Sequence, residues 1–160
     1  MNKNIQLLLI IFIVANNNCN TFAKGKFGES AKSIAMEEKK IEILMNRLNK
    51  LEKRKAKLGK KASPLIDSTK ANILNELHTA FLNKNPGTAM NYARQSLSLS
   101  QQIGYEKGIA NGYANIGIIE AFYEGKIKEG LEKSTIALKK RESLNDNKGI
   151  EKSLTDIASI

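Results

Sequence analysis

The chain has 160 residues, 41% of them hydrophobic, and a formal charge of +10. That apolar share can build a core, which excludes wholesale disorder. Two prolines, no tryptophan and no grouped strand formers favour helix. A single cysteine excludes an internal disulfide, and no Cys/His cluster is available for zinc. The positive charge suits acidic partners, and location must decide among nucleic acid, anionic lipid and acidic protein.

Lys3 is followed by an apolar run, Leu7 to Ala15, then an Asn-rich stretch and Thr21-Phe22-Ala23. This layout predicts a signal peptide over residues 1–23, cleaved after Ala23, and therefore a periplasmic or secreted protein. The run is shorter than the roughly 20 residues that span a bilayer. An uncleaved N-terminal anchor is the alternative. Cys19 follows three asparagines rather than a small residue, so it is expected to leave with the leader and not to carry lipid.

Residues 24–62 form the next segment, with a basic amphipathic helix expected over 30–61. Ile34, Ile41, Leu44, Leu48, Leu51 and Leu58 recur at sevens, threes and fours, which puts them on one stripe. The same spacing is a short heptad seam interrupted by Glu37 and Lys55, and Gly59 is a natural stop. The seam either packs on the residues that follow or pairs with a second copy as a coiled coil. About three heptads make a marginal coiled coil, so packing is the favoured outcome. The run from Lys53 to Lys61 is strongly basic but has no interleaved aromatic residue. It reads as a solvated face or as a source of weak attraction to anionic membrane, and nucleic acid is disfavoured.

Residues 63–160 match themselves at a shift of 41. Lys107-Gly108-Ile109 falls on Lys148-Gly149-Ile150, and Ala93, Leu97 and Ile103 fall on Ser134, Leu138 and Leu144. A fixed period of this size means stacked supersecondary units. The apolar spacing predicts helices over 66–83, 86–103, 109–123 and 127–143, with 150–160 repeating the first helix of a third unit. Asn85 caps the second helix and Pro86 opens it. Gly125 separates the helices of the next pair. Gly117, Ala89, Gly130 and Ala137 are small enough for close helix approach.

These residues resemble tetratricopeptide (TPR) repeats of the longer kind. The likeness rests on Tyr113-x-Asn115-Ile116-Gly117-x-Ile119, Gly130-Leu131, Ala137-Leu138 and Asp146-x-Lys148-Gly149-Ile150. Ile73 to Leu77, Asn85-Pro86-x-x-Ala89 and Tyr92-Ala93 resemble the first repeat of sensory proteins with an exported TPR region. In that group the repeats often precede a membrane helix and a histidine kinase or DNA-binding output module. The resemblance implies an all-α solenoid, a protein-interaction scaffold in signal transduction, and a concave groove faced by Asn75, Asn111, Asn115 and Ile118. An asparagine amide both donates and accepts, so it can hold a peptide backbone. Asp156 takes the place of Asn115 in the next unit. Capping or solvation is the competing role for these asparagines. Gly130 replaces the usual alanine and Glu120 a position often aromatic, which predicts looser packing of that pair. Leu154, Ile157 and Ile160 are expected to lack a cover on one side, as in a chain cut short within a repeat.

No enzyme is predicted. His78 is the lone histidine, between Leu77 and Thr79 on a helix, and Glu37, Glu38 and Asp67 are scattered. Gly104, Gly108, Gly112 and Gly117 follow the repeat and do not form a phosphate cradle. The expected partner is a protein or peptide, with no cofactor or metal. A structural homodimer through the 34–58 seam and contact of the basic helix with anionic membrane or nucleic acid are the rival readings.

Overall fold

The computed structural model describes residues 27–59 and 64–160. The leader-like residues 1–23, Cys19, Lys60 and Lys61 lie outside the described residues. Six helices account for the architecture and no strand occurs among the described residues. They are α1 (Phe27–Leu58), α2 (Pro64–Phe81), α3 (Pro86–Gln102), α4 (Glu106–Phe122), α5 (Ile127–Ser143) and α6 (Asn147–Ser159). None of these helices is long and apolar enough to cross a membrane.

The chain divides into two compact units at Lys39/Lys40, within α1. In the first, Ile34 and Met36 are exposed. The second unit begins at Lys40, and the rest of α1 packs on α2 within it. Leu44 is buried with Ile73 and Leu77, and Leu48, Leu51, Phe81 and Tyr92 pack around them. Ion pairs flank this seam: Lys55 to Asp67 at 2.5 Å, Arg47 to Glu76 at 3.7 Å, and Lys70 to Glu52. Lys55, which interrupts the apolar stripe, thus finds its partner on α2. Leu58, at the end of the stripe, is exposed.

The helix ends have local causes. Asn85 Oδ1 accepts a hydrogen bond from Thr88 N–H at 2.9 Å, and Pro86 occupies the first turn, where its missing N–H costs nothing. Asp146 Oδ1 accepts likewise from Gly149 N–H at 3.2 Å and starts α6. The chain leaves α3 at Gly104 (φ 67°) and α5 at Asn145 (φ 53°), 41 residues apart. Both sit in the left-handed region, which glycine enters freely and asparagine tolerates.

Consecutive helices run antiparallel. Ser96 Oγ donates to Ala71 O at 2.9 Å and His78 Nδ1 lies 3.3 Å from Ala89 O, which fixes α3 on α2. Lys140 Nζ meets Glu106 at 2.7 Å and Gly130 meets Gly117, which fixes α5 on α4. Contacts also join α2 to α4 and α4 to α6, whereas α3 and α5 do not touch. The first helices of successive pairs therefore stand side by side. Burial repeats with the sequence: Ala89 and Gly130, Ala93 and Ser134, Ser100 and Arg141, and Gly112 and Ser153 are buried in pairs 41 apart. A second core cluster (Ala89, Met90, Ala93, Ile116 and Ile119) joins α3 to α4, with Phe81, Leu82 and Leu97 packed against it.

One expectation is corrected. Gly130 and Glu120 predicted loose packing of α4 on α5, and the structure shows close packing. A Cβ added at Gly130 would lie 2.6 Å from Gly117 O, and one added at Gly117 would lie 2.7 Å from Gly130 O. With no side chain on either glycine the two backbones touch. Glu120 is buried and its carboxylate sits 2.6 Å from Lys133 Nζ on α5, so an ion pair fills the place of an aromatic ring. At the other end of the array Leu154 is 53% exposed, while Ile157 and Ile160 are half-buried.

Candidate functional site

The side-by-side placement of α2, α4 and α6 leaves a concavity of about 400 Å³. Asn72, Asn75, Glu76 and Thr79 of α2, Asn111 and Asn115 of α4, Arg141 of α5 and Lys152 of α6 line it. Helical spacing explains the selection. Positions 72, 75, 76 and 79, and likewise 111 and 115, follow one another at three and four residues and share a face. The apolar residues of α2, Ile73, Leu74 and Leu77, are turned into the core.

Three of the four groove residues expected from sequence come together. Asn115 Nδ2 donates to Asn75 Oδ1 at 3.1 Å, which joins α2 to α4 across the floor. Asn111 Oδ1 accepts from Arg141 at 2.9 Å. Ile118 lies on the face of α4 shared by Asn111 and Asn115, but it is half-buried and does not line this concavity. Asp156 pairs with Lys152 at 2.8 Å on α6, so it orients a cation rather than standing in for Asn115 as a free acceptor.

Arg141 is the residue that sequence reading missed. It is only 3% exposed, and it donates to Gly149 O at 3.0 Å, Ser153 Oγ at 2.6 Å and Asn111 Oδ1 at 2.9 Å. One guanidinium thus ties α4, α5 and α6 together at the edge of the concavity. Burial pushes its pKa below the ordinary arginine value, while Asp156 and Asp146 pull the other way. It stays charged, since an arginine is not deprotonated in proteins. A signal for it existed. Gly130, Ser134 and Ala137 are spaced by fours and threes, and the next step on that stripe is 141.

The concavity is polar and mixed in charge. Glu76 is partnered by Arg47 and Lys152 by Asp156, so among the described residues Arg141 is the cation of the concavity without an ion-pair partner. Beneath the lining of α2, His78 is buried with its ring against Ala89 O. Desolvation lowers its pKa, which keeps the ring neutral. It packs between helices and does not line the concavity. Among the described residues no group of three His, Cys, Asp or Glu side chains could hold a metal ion. The arrangement offers amide donors and acceptors, a hydroxyl and two cations, which is a surface for hydrogen-bonding an extended polar chain.

Comparison with protein-family models, with curated proteins and with solved structures finds no match to this chain.

Proposed function

We propose that residues 64–160 form a TPR-type stack and that the protein is a protein-interaction scaffold, working as the extracytoplasmic sensory part of a signalling protein. One observation carries the binding half of this reading. The first helices of successive pairs stand together and present Asn72, Asn75, Asn111 and Asn115 to one concavity. Amides on a helical wall suit recognition of a peptide main chain, because an amide can donate to a carbonyl and accept from an N–H. Signalling and export rest on the resemblance and on the leader-like start, and the 41-residue period in both sequence and burial supports the TPR reading.

The test is selection from a random peptide library displayed against the full chain. Enriched peptides are then measured on the wild type and on the Asn75→Ala/Asn115→Ala double variant. Loss of two hydrogen bonds at about 1 kcal/mol each predicts roughly tenfold or greater weakening. Peptides that bind both proteins equally would place recognition elsewhere and defeat the proposal.

A further inference from the structure

A second surface is defined by α1, and Arg47 at its edge pairs with Glu76 of the concavity. Arg47, Lys50, the adjacent Lys53 and Arg54, and Lys57 are separated by threes and fours, and at 3.6 residues per turn they occupy about a third of the helix circumference. Ile43 and Asn46 complete the same stripe, and no acidic residue interrupts it. Lys50, Lys53, Arg54 and Lys57 are exposed, and none has an ion-pair partner among the described residues. Lys55, by contrast, turns to Asp67 and is neutralised. Among the described residues the fold therefore gives Arg47 and Lys55 partners on α2 and leaves Lys50, Lys53, Arg54 and Lys57 without an ion-pair partner.

Two apolar features adjoin that row. Ile43 is 50% exposed, two turns before Lys50. Where α1 meets α2, a mostly apolar groove of about 180 Å³ runs along the stripe, lined by Arg47, Lys50, Leu51, Arg54, Thr69 and Ile73. Cations bordering apolar surface complement an interface in which phosphates lie next to hydrocarbon. A nucleic acid would meet the same charge, but the stripe has no aromatic side chain for bases to stack on, and Ile43 would gain nothing against a phosphate backbone.

We propose that the exposed face of α1, from Ile43 to Lys57, docks on a bilayer surface rich in anionic phospholipid. Docking there uses Lys50, Lys53, Arg54 and Lys57, none of which lines the α2–α4–α6 concavity.

The experiment is co-sedimentation of the full chain with vesicles of phosphatidylcholine alone and of phosphatidylcholine mixed with phosphatidylglycerol. The pure vesicles report any apolar contribution from the rest of the chain. Stronger partition to the mixed vesicles at low salt is expected, with the difference closing as salt rises. Lys50→Gln/Lys53→Gln/Arg54→Gln/Lys57→Gln should remove it, at roughly fivefold per cation and several hundredfold in all. Arg94→Gln/Lys128→Gln/Lys139→Gln/Lys148→Gln removes the same charge from exposed positions on α3, α5 and α6, and should leave partition nearly unchanged. Three results would overturn the proposal. They are equal partition to both lipids, equal loss in the matched control, and displacement from mixed vesicles by duplex DNA at equal phosphate concentration.

Discussion

Between α4 and α5 the closest approach is backbone to backbone, at Gly117 and Gly130, with Ser134 and Ala121 alongside. Between α1 and α2 the contact is made by long side chains, Leu44, Leu48 and Leu51 against Ile73 and Leu77, with ion pairs at the rim. The first interface has no room to give, so it tolerates no added atom. The second is made of apolar volume, so it tolerates no lost one. Small residues set how near two helices come, and large residues set how much surface they hide.

The largest break should come from Gly130→Val. Helix propensity rewards replacement of an interior glycine by alanine with about 1 kcal/mol, but any Cβ here lands within 2.6 Å of a carbonyl oxygen. The branched side chain should cost about 3 kcal/mol or more, read as a lower denaturation midpoint, and Gly130→Ala should also destabilise despite its propensity. A neutral or stabilising Gly130→Ala would show that the pair can spread.

Leu77→Ala removes a fully buried side chain from the other interface and should cost about 3 kcal/mol, with Leu44→Ala slightly less at about 2 kcal/mol. The Leu44 variant is the sharper of the two. It is on α1, so an unchanged denaturation midpoint would mean that α1 contributes nothing to the stability of the α2–α6 array.

His78, buried between α2 and α3 and facing the charge of Lys152 on α6, supplies a pH test. Its folded-state pKa lies below the ordinary value of 6.5, so the unfolded chain binds the proton more readily. Stability from this group is complete above 6.5 and is lost as pH falls through that value towards the folded pKa. Thermal unfolding of the wild type should show a midpoint that falls on mild acidification, and His78→Gln should flatten that part of the profile. An unchanged slope in the variant would assign the effect to carboxylates.

The smallest effect is expected at Leu154→Glu. This leucine is half-exposed on α6, and its replacement should change stability by no more than about 0.5 kcal/mol. A much larger loss would show that Leu154 is covered in solution.

The helices and their ends were legible because their causes are local. Asn85 and Pro86 start α3 through groups within three residues of one another, and the 127–143 span of α5 was readable from apolar spacing and from Gly125. Asn75, Asn111 and Asn115 were expected on one surface through the resemblance to TPR repeats, not through the 41-residue period. Arg141 was not, because a charge is ordinarily sorted to the outside, and only Ser153, Gly149 and Asn111 arriving from other helices make its burial affordable. Glu120 misled for the same reason, since its partner Lys133 lies on the next helix.

What the sequence determined by itself was helix, period and the candidate stripes, because turn chemistry and apolar spacing act over three or four residues. The tertiary structure decided which stripes face one another. It set Gly117 against Gly130, turned Lys55 inward to Asp67 while Lys50, Arg54 and Lys57 stayed outward, and closed Arg141 into a three-helix node. Those choices depend on neighbours tens of residues away, and their energy exists only once the helices have met.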